Sequence, residues 1–161
     1  EIMSDPTAVA DSDGEWFEVY NPLGVDVDLV GWRFYDGGGD LFTVQGSLIL
    51  PTHGYLVFGR NGDANTNGGV DVDYVYSGFD LDNIDDELYI DDPSATEVLQ
   101  LEYYIEDGWP DTTGGSFGFN GALAPNYGPA YSASNWCEST VLWAGSAGDA
   151  GSPGAANEVC N

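Results

Sequence analysis

Residues that interrupt regular secondary structure recur along the whole chain, and their spacing constrains the fold more than any other feature of the sequence. The 161 residues include 23 glycines and 8 prolines, with many Asn and Asp residues between them. Few windows are free of such residues over the roughly ten positions that a helix needs. Short runs of β-branched and aromatic residues lie between the turn signals instead, as is typical of strands. The predicted strands are residues 16–20, 27–35, 41–44, 47–50, 55–58, 70–76, 87–90 and 98–104.

The order of these elements predicts the fold class. Many short strands follow one another without intervening helices, which favours an all-β sandwich or barrel over a parallel α/β sheet. Between Val70 and Tyr76 the even-numbered residues are all apolar or aromatic, so one face of this strand should be buried and the other largely exposed. From about Gly108 onward the chain is rich in Gly, Ala, Ser, Asn and Pro, and we interpret residues 108–161 as long ordered loops with one or two further strands. The length fits one domain, so residues 1–161 are predicted to form a single β-sandwich with a loop-rich C-terminal part.

The charge balance disfavours several classes of partner. The chain has 28 acidic residues but only two basic ones, Arg33 and Arg60, and its formal net charge is −26. Nucleic-acid binding and anionic-membrane binding both depend on basic residues, so neither partner is expected. Such a surface can hold cations, either as a diffuse cloud or at specific oxygen-lined sites. Solubility in a salty medium explains the same composition without any specific site.

The cysteines and the absence of hydrophobic segments bear on the compartment. Cys137 and Cys160 are the two cysteines, there is no CxxC pair, and the chain has one histidine, so zinc and thiol-redox sites lack ligands. A Cys137–Cys160 disulfide is predicted, worth roughly 3 kcal/mol in the chain-entropy model, and two buried free thiols are the alternative. No stretch approaches the roughly 20 apolar residues of a membrane span, so membrane insertion is not expected. We expect an extracellular or cell-surface protein whose signal peptide has already been removed.

One segment matches the oxygen-ligand spacing of a calcium loop. Asp63-Ala-Asn65-Thr-Asn67-Gly68 fits the pattern D-x-[DN]-x-[DN]-G, and Asp71 and Asp73 follow within reach. The twelfth position is Tyr74 rather than Glu, so an EF-hand proper is excluded, and a polar hairpin loop is the alternative interpretation. A weaker acidic group, Asp11-Ser-Asp13-Gly14-Glu15, precedes the first predicted strand, and a solvated turn is its alternative interpretation. The predicted calcium ligands are Asp63, Asn65, Asn67, Asp71, Asp73, Asp11, Asp13 and Glu15.

No segment indicates catalysis. His53 lies in a turn between two predicted strands, where an exposed imidazole is ordinary, and no Gly-x-Ser-x-Gly elbow accompanies it. A phosphate-binding loop with its lysine is also missing. With 28 acidic residues, chance pairs of carboxylates are certain and carry no information about glycoside hydrolysis. We therefore expect a protein that is not an enzyme.

Four segments, taken in order, carry a resemblance to a known family. They are Glu1-Ile-Met-Ser-Asp-Pro6, Glu15-Trp-Phe-Glu-Val-Tyr-Asn-Pro22, Val27-Asp-Leu-Val-Gly-Trp32 and Gly151-Ser-Pro-Gly-Ala-Ala-Asn157. A further strand pair is added by Leu48-Ile-Leu-Pro51 and Gly54-Tyr-Leu-Val-Phe58. Together they resemble the lamin-tail domain, and the resemblance implies an immunoglobulin-like β-sandwich. Bacterial domains of this type often accompany a secreted enzyme or surface protein, which implies an accessory role rather than chemistry.

Two functions are compatible with these features. The first is a non-catalytic extracellular binding, adhesion or assembly module, stabilised by calcium, whose other partners are further copies of itself or cell-surface proteins. The second is an accessory domain of a larger secreted hydrolase of the nuclease or phosphatase type.

Overall fold

The computed structural model describes residues 1–125 and 127–161, and its regular elements are short. Single helical turns form α1 (Asp11–Gly14) and α2 (Tyr127–Ala130), and 3₁₀ turns span Ile105–Asp107 and Ala133–Asn135. In chain order the strands are β1 (Ile2–Met3), β2 (Trp16–Tyr20), β3 (Val27–Asp28), β4 (Arg33–Tyr35), β5 (Leu41–Thr43), β6 (Ile49–Leu50), β7 (Tyr55–Gly59), β8 (Tyr74–Val75), β9 (Asp85–Asp91), β10 (Glu97–Tyr104), β11 (Phe117–Phe119) and β12 (Trp136–Glu138).

These strands form two main sheets and one small one. The first has six strands in the order β12-β11-β1-β2-β7-β8, in which β7 and β8 run parallel and the other neighbours antiparallel. The second has four antiparallel strands in the order β10-β9-β4-β5. β3 and β6 pair with each other alone. In the four-stranded sheet β10 is therefore an edge strand.

Aromatic side chains fill the space between the two main sheets. Phe17 and Phe58 of the six-stranded sheet stack with 5.1 Å between ring centroids. Phe34 and Phe42 of the four-stranded sheet stack at 4.9 Å, and Phe34 lies 4.9 Å from Phe58 across the core. All four rings are buried, and aromatic pairs at such distances add to the hydrophobic gain of their burial. The predicted all-β sandwich is confirmed.

Strand β2 has the predicted bounds and is covered on both faces. Phe17 packs into the core between the sheets, as alternation along a strand requires. Trp16 points to the opposite face, where it packs against Met3 and Val57 and meets Trp143 edge to face at 6.1 Å. The C-terminal part of the chain thus covers the outer side of this sheet.

Four predicted strands are shorter than the sequence pattern indicated, and the segments 27–35 and 70–76 differ most. The strand expected at 27–35 is divided, because Gly31 adopts a positive φ of 80° and the Trp32 N–H bonds back to the Leu29 carbonyl in a turn. Of the strand expected at 70–76 only Tyr74–Val75 pairs with β7. Its predicted alternation is nevertheless present, since Val70 and Tyr76 are buried.

The C-terminal part consists of loops with two further strands, as predicted. β11 and β12 extend the six-stranded sheet beyond β1, and their Phe117 and Trp136 rings pack at 5.9 Å. Cys137 of β12 and Cys160 form a disulfide, with 5.7 Å between their Cα atoms. The predicted disulfide is confirmed, and it fixes the end of the chain to this sheet edge.

Candidate functional site

The outer face of the four-stranded sheet carries tyrosines and carboxylates. Successive side chains of a strand point to opposite faces, so burial of Leu88 and Ile90 in β9 directs Glu87 and Tyr89 outward. In β10 the same alternation buries Leu101 and Tyr103. The outward residues of β10 are then Gln100, Glu102 and Tyr104.

Two glutamates lie directly opposite each other at the centre of this face. The register of β9 and β10 pairs Glu87 with Glu102, and like charges at directly opposed positions destabilise a sheet. A tyrosine flanks each glutamate on the diagonal: the Tyr89 hydroxyl donates to Glu102 at 3.0 Å, and the Tyr104 hydroxyl donates to Glu87 at 2.6 Å. The hydrogen bond to Glu87 raises the pKa of Tyr104 well above its ordinary value. Each carboxylate is thus held beside an aromatic ring.

A third tyrosine and carboxylate pair on the same face has a cation. The Tyr35 hydroxyl donates to Asp91 at 3.2 Å, and the Arg33 guanidinium lies 5.3 Å from the centre of the Tyr35 ring. Arg33 also lies 3.8 Å from the Asp91 carboxylate. A guanidinium over a ring and beside a carboxylate gains from both contacts. Tyr35 meets Tyr89 edge to face at 5.4 Å, so the three pairs form one continuous surface.

A polar cleft borders this face at the free edge of β10. Its volume is about 590 Å³. Tyr131 closes one side, and its hydroxyl accepts a hydrogen bond of 2.9 Å from the Gln100 N–H of the edge strand. The lining residues are Gln100, Glu102, Tyr104, Asp107, Trp109, Tyr131, Ser132, Ala133 and Ser134.

The predicted calcium loop is closed by hydrogen bonds of its own. Asp63 accepts from the backbone and side-chain N–H groups of Asn65 at 3.0 and 2.8 Å, and these bonds lower the pKa of Asp63. The side chain of Asn67 is buried and bonds to the backbone of Asn61, Gly69 and Val70. The sequence motif therefore builds a turn in this structure, and calcium binding to it stays a prediction.

The other predicted calcium ligands have separate surroundings. Asp73 accepts a hydrogen bond of 2.8 Å from the Val57 N–H of β7, whereas Asp71 is exposed. Glu15 is buried, and burial raises its pKa to about 7 although the Leu81 N–H donates to it and Arg60 lies 3.0 Å away. Asp11 and Asp13 lie by contrast within 3.3 and 3.4 Å of the side-chain amides of Asn83 and Asn61. Within residues 1–125 and 127–161 no three His, Cys, Asp or Glu side chains are grouped to hold a metal ion.

His53 lies in the turn before β7 of the six-stranded sheet, not on the tyrosine and carboxylate face. It is exposed, has a positive φ of 53°, and its ring nitrogen lies 3.4 Å from the Tyr20 hydroxyl. This contact places the imidazole beside a phenol rather than in a nucleophile and base arrangement.

Sequence reasoning missed the tyrosine and carboxylate face, although a signal was present. The triplets Glu87-Leu-Tyr89 and Glu102-Tyr-Tyr104 repeat an E-x-Y spacing in two successive predicted strands. Residues two apart on a strand share a face, so each triplet places one carboxylate and one ring on the same side. Pairing two such strands in antiparallel register brings the four side chains together.

The comparison with protein families matches a large part of the chain. A family model described as Lamin Tail Domain matches residues 1–104 of the 161. The matched segment ends at the last residue of β10, so it contains both glutamates and all three tyrosines of the sheet face. No curated protein matches the chain.

Proposed function

The chain belongs to the lamin-tail domain family, whose members are immunoglobulin-like modules, and on this premise we propose that it is a non-catalytic extracellular binding module. Its binding surface is the outer face of the four-stranded sheet, together with the cleft beside β10. The three tyrosine and carboxylate pairs of this face supply the contacts to a partner.

The observation that carries this proposal is the opposed pair Glu87 and Glu102 between tyrosine rings. Two carboxylates at directly opposed sheet positions work against folding, so the arrangement is unfavourable for the isolated domain. Tyrosine presents a large ring with a polar end at low conformational cost, which makes it common in binding surfaces. A partner that bridges the two carboxylates removes their repulsion and gains the ring contacts.

Two further features support an extracellular setting. The Cys137–Cys160 disulfide is a type of bond that persists in oxidising compartments. A surface with a formal net charge of −26 suits a medium with abundant cations.

Calcium at the loop from Asp63 to Asp73 remains part of the proposal. None of the helices in the described ranges is long and apolar enough to cross a membrane.

The binding role can be tested with arrays that carry basic, acidic and neutral peptides together with neutral oligosaccharides. Labelled wild type is compared with Tyr89→Ala/Tyr104→Ala, which removes two rings of the face. The matched control is Tyr20→Ala/Tyr55→Ala, because these two tyrosines form a ring pair at 4.9 Å on the other sheet. Ligands that bind wild type and the control but not the face variant are expected. Identical patterns for all three folded proteins would contradict the proposed surface.

A further inference from the structure

The charges of the sheet face specify the class of its partner. Resting on the proposed function, we infer that this face binds a basic polypeptide segment, with arginine side chains lying on the rings of Tyr89 and Tyr104 and beside the carboxylates of Glu102 and Glu87. Each of these two positions is a cation-binding position made of one ring and one carboxylate.

The chain itself shows the geometry that such a position accepts. At the third pair Arg33 occupies it, 5.3 Å from the centre of the Tyr35 ring and 3.8 Å from the Asp91 carboxylate. The pairs Tyr89 with Glu102 and Tyr104 with Glu87 repeat the hydroxyl-to-carboxylate bond of Tyr35 with Asp91. The Tyr89 and Glu102 position and the Tyr104 and Glu87 position therefore match the Tyr35 and Asp91 position, which Arg33 already fills.

This protein has no further Lys or Arg residue to fill them. Its two Lys or Arg residues are Arg33 and Arg60. Arg60 is bound elsewhere, at 3.0 Å from Glu15 and 2.9 Å from Asp80. Any cation at the Glu87 and Glu102 pair must come from outside the chain.

Other occupants fit the face less well. A metal ion needs several converging ligands, and the described residues contain no group of three acidic, His or Cys side chains placed for one. A second copy of this chain would bring another net charge of −26 to an acidic face. A neutral glycan could stack on the rings but would leave the carboxylate pair without a counter-charge.

The cleft at the edge of β10 extends the surface for a polypeptide. Asp107 adds a carboxylate to its lining, and Trp109 and Ala133 add apolar surface on which the stem of an arginine or lysine can pack. An exposed edge strand can also pair with an added strand, but the Tyr131 hydroxyl already occupies the Gln100 N–H. Recognition is therefore made by side chains more than by the backbone.

The inference is tested by titrating the protein with labelled decapeptides of arginine and of lysine. The arginine peptide should bind more tightly, because a planar guanidinium stacks on a ring and pairs with a carboxylate at once. Glu87→Gln/Glu102→Gln keeps the shapes of the two side chains and removes both charges. It should weaken arginine-peptide binding about tenfold, because it removes two exposed contacts between an arginine and a carboxylate. Asp26→Asn/Glu138→Gln removes two exposed charges outside this sheet and should change the affinity less than about twofold.

The outcomes separate this inference from the function on which it rests. Equal losses in the two double variants, or equal affinity for the two decapeptides, would overturn the inference by showing diffuse attraction to the acidic surface. Oligosaccharide binding that depends on Tyr89 and Tyr104, without face-dependent arginine binding, would overturn the partner class and leave the binding module intact. If no ligand of either class depends on the face, both proposals fail.

Discussion

Replacing Glu18 with glutamine should remove a large part of the pH dependence of folding stability. Glu18 of β2 is 8% exposed, and the Gly154 N–H donates to its carboxylate. Burial raises the pKa of Glu18 from 4.5 to about 8 in spite of this hydrogen bond. The side chain is therefore protonated in the folded protein at neutral pH, and glutamine has nearly the shape of the protonated acid.

The sign and size of the effect follow from this difference in pKa. Between pH 4.5 and about pH 8 the folded protein keeps the proton that the unfolded chain has released. Raising the pH through this range therefore favours unfolding: the contribution of Glu18 is complete below pH 4.5 and is lost as the pH passes about 8. Each pKa unit corresponds to about 1.4 kcal/mol, so the full difference amounts to about 5 kcal/mol.

The assay is urea unfolding followed by tryptophan fluorescence from pH 5 to pH 9 at constant ionic strength. The free energy of unfolding of Glu18→Gln relative to wild type should rise by about 4 kcal/mol over this range. Burial also raises the pKa of Glu15 to about 7 and of Asp86 to about 6, but both are present in the two proteins and cancel in the comparison. The exposed Glu106→Gln is the matched control. A difference between Glu18→Gln and wild type that does not change with pH would refute a protonated Glu18.

Three further predictions concern the disulfide, the C-terminal loops and calcium. Cys137→Ser opens the disulfide-closed loop, whose ends are 23 residues apart in the sequence, and should lower the free energy of unfolding in denaturant by roughly 3 kcal/mol. No change would show that the disulfide does not restrict the unfolded chain. Gly69→Ala should destabilise more than Gly46→Ala: both positions have positive φ, but only at Gly69 would an added Cβ collide with the Gly145 carbonyl oxygen. Equal melting temperatures of the two variants would contradict this packing. Calcium binding to the loop from Asp63 to Asp73 predicts a rise in melting temperature in calcium that magnesium at matched ionic strength does not reproduce and that Asp63→Ala abolishes. Equal shifts in the two ions would show only charge screening by the acidic surface.

Most of the fold was predictable because it depends on local patterns. The alternation of side chains along β2 predicted where this strand begins and ends, and the Tyr55–Gly59 strand was predicted to within one residue. The division of the 27–35 segment was not predicted, because a glycine before a tryptophan is compatible with either a strand or the positive φ of Gly31. The disulfide was predictable because the chain has only two cysteines to pair.

The site was less predictable because it depends on register. Glu87 faces Glu102 because two features set the pairing of β9 and β10. In the turn between them Asp92 accepts hydrogen bonds from the Ser94 and Thr96 N–H groups, and an irregularity between Glu97 and Leu99 then shifts the register by one residue. A shift of one residue would move every side chain of the strand to the other face. For the calcium loop the same residue types serve either as metal ligands or as caps of their own turn. Sequence spacing does not distinguish these two uses.

The central claim is that the outer face of the four-stranded sheet is where a basic partner binds, and an NMR titration tests it most directly. The ¹⁵N-labelled protein is titrated with the arginine decapeptide while the backbone amide shifts are followed. Saturable changes should be concentrated in β4, β9, β10 and the cleft beside β10. Changes spread evenly over the acidic surface, or concentrated around residues 61–73 and 80–86, would contradict the claim.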